Sequence, residues 1–137
     1  MNSSTVTLAS IRIVTEDVPR LTDFYSRITG VQATGDPNTY MELAVPGATV
    51  AICSQAAIDQ FNESAARSAE NRSVLLEFAV DDVDAERRRL DDLVTDWAQQ
   101  PADQPWGNRA MLFRDPDGNL ISFFTAIDPD SPLRPQH

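Results

Sequence analysis

The sequence contains an internal repeat, and this repeat limits the possible folds more than any other feature. Residues 10–18 can be laid on residues 75–83 at an offset of 65 positions. In each half, a strand-like apolar stretch precedes a helix that opens on aspartate, and further strands follow. The sequence therefore predicts an α+β fold of two similar modules, each made of a strand, a helix and two further strands, possibly with one more short strand. Each helix covers only one face of its sheet, so we expect the other faces to curl together around a shared cavity or to pack on a partner.

The first module is defined by clear start and stop signals. Asp17 is a typical helix N-cap, Pro19 favours the first turn, and Gly30 is a typical C-terminal residue. Alternation of apolar and polar residues predicts the strands. They are expected at 5–14, 40–45 and 49–54, with a possible short strand at 31–34.

The second module repeats this order. A strand is predicted at 74–80, and a helix opens at Asp82 with an apolar stripe that reaches Trp97. Two further strands, at 109–114 and 120–125, are joined by a turn at 115–119 that contains proline and glycine.

These elements suggest the domain boundaries. The first module covers 1–54 and the second covers 73–127. We interpret 55–72 as a linker or lid, in which Ile58 and Phe61 could anchor a short helix. The proline-containing segment 128–137 is expected to be a flexible tail.

Charge and composition exclude several kinds of partner. The 21 acidic residues outnumber 11 basic ones, all of them arginine, and the net charge is −10. Nucleic acid binding needs a basic face, so we expect none, and an acidic protein favours cationic ligands. No apolar run is long enough for a membrane span, and no signal peptide is evident, so we expect a cytoplasmic protein without membrane partners. A single cysteine, Cys53, excludes an internal disulfide.

The motifs of both halves resemble those of the vicinal oxygen chelate superfamily, the glyoxalase, bleomycin-resistance and extradiol dioxygenase group. The similarity covers about residues 6–126 and is carried by short motifs, which are Asp17-Val18-Pro19, Phe24-Tyr25, Ile28-Thr29-Gly30, Pro105-Trp106-Gly107 and Phe113-Arg114-Asp115-Pro116-Asp117-Gly118-Asn119. The resemblance implies an α+β fold of two βαβββ modules, with cupped, mostly antiparallel sheets and the helices outside. It also implies binding or catalytic sites within the cupped sheets and, as is common in this family, a homodimer.

The metalloenzymes of this family carry metal ligands at four positions, two in each module. The resemblance places those positions on Ser10, on Leu75, on Ser122 and on either Ala51 or Ile52. Divalent transition metals prefer imidazole, carboxylate or thiolate ligands, and none of these residues offers one. We therefore expect no metal and no other cofactor, as in the metal-free, bleomycin-resistance-like branch.

Strand alternation indicates which side chains face the cavity. Tyr40 has weaker support as a residue of its mouth, and Glu42 is interpreted as a solvated strand residue. The predicted ligand-binding residues are Ser10, Arg12, Glu77, Trp106, Met111, Ser122 and Phe124. No catalytic residue is assigned.

Three of these residues have a structural alternative. Arg12 and Glu77 occupy equivalent places in the repeat, so they form either an ion pair between the modules or a polar anchor for a ligand. Trp106 either stacks on a planar ligand or packs within its loop.

Three functions remain open at this point. The first is metal-free binding and sequestration of a small organic molecule, planar or cationic and antibiotic-like. The second is an enzyme that acts in the same cavity, a glyoxalase-like lyase or isomerase or a dioxygenase-like enzyme, with or without metal. Without metal, Arg12 would polarise a carbonyl and Glu77 would transfer a proton. The third is a structural or regulatory dimer without a small ligand.

Overall fold

A computed structural model describes residues 5–127, so the predicted tail lies outside the described residues. The chain divides between Ala69 and Glu70 into two compact units, and each unit holds one four-stranded sheet. No helix within residues 5–127 is long and apolar enough to cross a bilayer.

The first unit has the predicted order of elements. Its elements are β1 (Ser10–Thr15), α1 (Val18–Thr29), β2 (Thr34–Asp36), β3 (Tyr40–Leu43), β4 (Thr49–Ser54) and α2 (Gln55–Asn62). The strands lie in the order β1-β4-β3-β2. The pair β1–β4 is parallel and the other two pairs are antiparallel, so the sheet is mixed and mostly antiparallel.

Local signals in the sequence position α1. The Asp17 carboxylate accepts a hydrogen bond from the Arg20 amide at 3.1 Å, which satisfies one of the free N–H groups of the first turn. Gly30 ends the helix in the left-handed conformation at φ 72°, and its N–H bonds to the Ser26 carbonyl. The buried stripe packs on the sheet and consists of Val18, Leu21, Phe24, Tyr25 and Ile28.

The second unit repeats the βαβββ order. Its elements are β5 (Leu75–Ala79), α3 (Val83–Arg89), β6 (Trp97–Asp103), β7 (Asn108–Arg114) and β8 (Leu120–Ala126). The strand order β5-β8-β7-β6 matches that of the first sheet, and β5–β8 is again the parallel pair. Asp82 caps α3 through the Ala85 amide at 3.1 Å, just as Asp17 caps α1.

The strand registers confirm the repeat residue by residue. Ser10 lies opposite Thr49 in the first parallel pair, and Leu75 lies opposite Leu120 in the second. Two residues further along, Arg12 pairs with Ala51 and Glu77 pairs with Ser122. The predicted two-module α+β fold is therefore correct, and Ala51 is the counterpart of Ser122.

The predicted second helix was too long. It ends at Arg89 rather than extending to Trp97, which instead begins β6. This strand was not predicted because it contains two glutamines and a proline. It lies at the edge of its sheet and its pairing to β7 is irregular, and edge strands tolerate proline.

The limits of two other elements also differ from the prediction. β1 starts at Ser10, not at residue 5, because its partner β4 supplies only six residues to pair with. The short extra strand, β2, begins at Thr34, where the predicted one ended.

A short helix does form after β4, as the sequence suggested. Ser54 caps α2 by accepting a hydrogen bond from the Ala57 amide at 3.1 Å. Phe61, however, is 86% exposed and does not anchor the helix, whereas Ile58 is half-buried. The Gln55 side chain bonds to the backbone of Ala66 and Ser68, which holds the following loop against the start of α2.

The turn between β7 and β8 is organised by a buried carboxylate. Asp115 accepts hydrogen bonds from the Asp117 and Asn119 amides at 2.8 and 2.9 Å and from the Asn119 side chain at 2.8 Å. Gly118 adopts φ 87°, which favours glycine. The turn predicted from the sequence is therefore a hydrogen-bonded loop around one aspartate.

Candidate binding faces of the two sheets

Each sheet has one face packed against its helix and one face directed away from it, which we call the open face. Met41 lines a groove with α1 and pairs with Ile52, so these residues lie on the packed face. Alternation then places Arg12, Ala51 and Glu42 in one row of the open face, since Ala51 pairs with both neighbours. Tyr40 and Cys53 form the adjoining row.

Three side chains form a cluster on the open face of the first sheet, which we call the Arg12 cluster: Arg12, Tyr40 and Glu42. The Arg12 guanidinium lies over the Tyr40 ring, 5.4 Å from its centroid. The Tyr40 hydroxyl donates a 2.7 Å hydrogen bond to the Glu42 carboxylate. Tyr40 is therefore fixed at its hydroxyl end while its ring supports the guanidinium.

Tyr40 of this cluster and the adjoining Cys53 are both poor bases and nucleophiles. The hydrogen bond to Glu42 raises the pKa of Tyr40, because removing the proton would place two negative charges together. Burial raises the pKa of the Cys53 thiol, and nearby Arg12 opposes this effect only in part. Both groups therefore keep their protons at neutral pH, which suits binding better than acid–base or thiolate chemistry.

The open face of the second sheet is largely apolar. Glu77, Ser122 and Leu112 form one row across three strands. Phe124 lies in the next row and is buried, as is Ser122, whereas Glu77 is exposed. The predicted residues Glu77, Ser122 and Phe124 thus share one face, and Ser10 and Arg12 share the open face of the first sheet. A ligand-binding role for these residues stays a prediction.

Met111 occupies a different position from the other predicted residues. It pairs with Phe123 and is fully buried on the face that packs against α3, where Thr125 accepts a hydrogen bond from the Val83 amide. Ser122 and Phe124 flank Phe123 along β8, so they lie on the other face of the sheet from Met111. The position of Met111 therefore favours a core role.

The two tryptophans have distinct surroundings. Trp106 lies in the turn between β6 and β7 and is 57% exposed. Trp97 is half-buried, packs edge-on against Phe113 with ring centroids 5.5 Å apart, and is covered by the Arg87 guanidinium at 3.9 Å from its ring centroid. Trp97 therefore belongs to the packing of its unit, and Trp106 is available at the surface.

The positions at which related metalloenzymes bind metal do not fit a divalent ion here. Ala51, not Ile52, lies on the open face, so the four positions are Ser10, Ala51, Leu75 and Ser122. An alanine and a leucine have no donor atom, and serine hydroxyls are weak ligands. In neither unit do the described residues bring three His, Cys, Asp or Glu side chains together.

A groove that the sequence did not suggest lies between α1 and the β2–β3 hairpin. Its volume is about 260 Å³, and its lining residues are Pro19, Thr22, Asp23, Ser26, Ala33, Pro37 and Met41. The Thr22 hydroxyl is buried without a hydrogen-bond partner among the described residues. No periodic pattern marks this groove, because its lining comes from a helix, a loop and a hairpin rather than from one face of a single element.

Comparison with known proteins agrees with this architecture. The model of the Glyoxalase/Bleomycin resistance protein/Dioxygenase superfamily matches residues 7–123. No curated protein matches the chain.

Several solved structures share the fold. A glyoxalase/bleomycin resistance protein/dioxygenase from Nocardioides is 20% identical with a TM-score of 0.78, over 98% of this chain and 93% of its own. A family enzyme from Burkholderia phytofirmans PsJN is 19% identical with a TM-score of 0.75, over 88% of this chain and 99% of its own. TioX from Micromonospora sp. ML1 is 22% identical with a TM-score of 0.66, over 88% and 99% of the two chains.

Two βαβββ units with matching registers, together with a family match over most of the chain, define the class. The chain belongs to the Glyoxalase/Bleomycin resistance protein/Dioxygenase superfamily. At these identities the solved structures establish the fold alone.

Proposed function

We propose that this chain is a metal-free small-molecule-binding protein of the glyoxalase/bleomycin-resistance type, whose ligand is a planar organic molecule. One observation carries the proposal. The first sheet's open face offers only a weakly ligating serine hydroxyl and an alanine at the family's metal positions, Ser10 and Ala51, yet has a polar cluster directly beside them.

The geometry of this face supports binding. Ala51 is a small residue at the centre of its row, flanked by the longer side chains of Arg12 and Glu42. Ala51 itself is fully buried, so the surface that a ligand would contact is formed by the exposed side chains of Arg12 and Glu42 and by the half-buried ring of Tyr40. An aromatic ring with a few polar groups around it is the kind of lining that small-molecule sites use.

The chemistry of the same face favours binding over catalysis. Tyr40 and Cys53 both have a raised pKa, so neither supplies a base or a nucleophile at neutral pH. A lyase, isomerase or dioxygenase of the metal-dependent kind would need ligands that the four positions do not supply.

Calorimetric titration of chelator-treated protein tests the proposal. The probe is naphthalene carboxamide, a planar and uncharged compound, and the matched control is cyclohexane carboxamide. We expect saturable binding of the planar probe near one per chain and much weaker binding of the saturated one. Elemental analysis of protein purified without chelators should show less than stoichiometric zinc, nickel, iron or manganese.

Two results would overturn the proposal. One is the failure of naphthalene carboxamide and of its charged analogues to bind at all. The other is binding or turnover that appears only after stoichiometric metal is restored, which would return the enzyme alternative to first place.

A further inference from the structure

We infer that Arg12 selects ligands bearing a carboxylate or a similar planar anion, which it binds through guanidinium N–H groups that no carboxylate among the described residues of its own unit engages. This inference rests on the proposed function, since it names the chemical class that the proposed site would accept.

Arg12 differs from the paired arginines of the chain. Arg27, Arg87, Arg89 and Arg109 each lie within salt-bridge distance of a carboxylate. Within the described part of its own unit, residues 5–69, Arg12 has no such partner. The Arg12 side chain is exposed, and it belongs to a strand in the open face of the sheet rather than to a loop or a helix end.

The nearest candidate for a partner is already engaged. Glu42 lies in the same row as Arg12, but its carboxylate accepts the hydrogen bond of the Tyr40 hydroxyl at 2.7 Å. The Arg12 guanidinium lies over the Tyr40 ring, 5.4 Å from its centroid, and it also interacts with the Tyr40 hydroxyl and the Cys53 thiol. A guanidinium carries five N–H donors, so these neighbours leave further N–H groups to donate to a ligand.

A guanidinium held in this way is suited to a planar anion. Its N–H groups form a fixed fork that matches the two oxygens of a carboxylate, and such charge-assisted pairs are stronger than neutral hydrogen bonds. A bidentate pair also places the carboxylate in the guanidinium plane. A ring conjugated to that carboxylate would therefore lie along the open face, beside the side chains of the Arg12 cluster.

The net charge of −10 does not decide against an anion. Charges separated by more than about 8 Å are largely screened at physiological ionic strength. Overall acidity therefore affects mainly the rate of encounter, whereas a direct contact with Arg12 determines which group stays bound.

The test compares three probes that share one ring system: naphthoate, naphthalene carboxamide and naphthylmethylammonium. We expect the wild-type protein to bind naphthoate about tenfold or more tightly than the carboxamide, in line with a charge-assisted hydrogen bond. The Arg12→Met variant should lose this preference while its affinity for the carboxamide changes less than about twofold. Arg12→Lys should restore only part of it, because an ammonium lacks the planar fork.

Arg20→Met provides the matched control, because Arg20 is an exposed arginine on α1, which packs on the other face of the sheet. It should bind all three probes as the wild type does, and melting curves should show that every variant is folded. Equal affinity for the three probes, a preference for the ammonium, or an unchanged preference in Arg12→Met would overturn the inference while leaving the proposed function intact. If none of the probes binds, the proposed function itself fails, and the inference fails with it.

Discussion

At the level of single residues, the two tryptophans differ in their expected contribution to stability. Trp106 is exposed in a turn, whereas Trp97 lies between Phe113 and Arg87. Packed aromatic residues contribute much more to folding than exposed ones. The sequence analysis placed Trp97 on the apolar stripe of a helix, whereas this residue begins a strand.

Replacing each tryptophan by alanine tests this difference. We expect Trp106→Ala to change the free energy of unfolding by less than about 0.5 kcal/mol, because its side chain is 57% exposed. Trp97→Ala should lower the free energy of unfolding by about 2–3 kcal/mol, less than a fully buried tryptophan would, because the ring is only half-buried. Urea unfolding measures both changes. The opposite pattern would show that the roles are exchanged.

The ion-pair network around Arg109 should make the stability of the second unit depend on pH. Arg109 donates two hydrogen bonds to Asp84, at 2.9 and 3.1 Å, and one to Asp103 at 3.1 Å. The hydrogen bond from Arg109 holds the pKa of Asp84 below its usual value of 3.8. A lowered carboxylate pKa stabilises the fold above the unfolded value, and this stabilisation is lost as the pH falls through the folded value.

We therefore expect the wild type to lose stability on acidification below about pH 3.8. The Arg109→Met variant should be less stable near neutral pH and should lose less on acidification. Arg72→Met is the control, because Arg72 is exposed and makes no ion pair among the described residues. Thermal melts across this pH range measure the effect. Parallel pH profiles for wild type and Arg109→Met would argue against the assignment.

At the level of elements, the turn between β7 and β8 depends on one carboxylate. We expect Asp115→Ala to reduce the free energy of unfolding by about 2–3 kcal/mol, because three N–H donors lose their carboxylate acceptor in a partly buried loop. Asp92→Ala, a change at an exposed aspartate, serves as the control and should be nearly neutral. If chemical denaturation finds the two variants equally stable, Asp115 does not organise the turn.

Elements with local signals could be predicted from the sequence, and those defined by pairing could not. Asp17 and Gly30 mark α1 because caps act within one turn of the chain. The edge strands β2 and β6 are polar or contain proline, so their existence depends on a neighbouring strand rather than on their own residues. The end of α3 was missed because Leu90 and Val94 continue an apolar pattern after the helix has stopped; both are buried.

The candidate site was predicted only in part for the same reason. Alternation along β1 identified Arg12 as a residue of the open face. The cluster with Tyr40 and Glu42 depends on strand register, which brings β3 beside β4 and β4 beside β1. Met111 is buried on the packed face, and periodicity alone does not orient β7, because this strand has apolar residues on both of its faces.

At the level of the whole molecule, we propose a homodimer. Several apolar side chains of the second unit are between 43% and 57% exposed, and these are Val74, Leu75, Trp106 and Ile127. Exposed apolar surface commonly marks an interaction site, and twofold symmetric dimers are the commonest assembly. Light scattering at micromolar concentration should give about twice 15.1 kDa. A monomer mass that persists on concentration would count against the proposal.

The division of the chain between Ala69 and Glu70 also affects when the protein can fold during its synthesis. Every strand of the first sheet, including both members of its parallel pair, precedes that point. At about 5–20 residues per second, translation of the remaining 68 residues takes roughly 3–14 s. Mixed α/β domains of this size fold well within a second. The first sheet, with the Arg12 cluster, therefore has time to form while the ribosome is still adding the second.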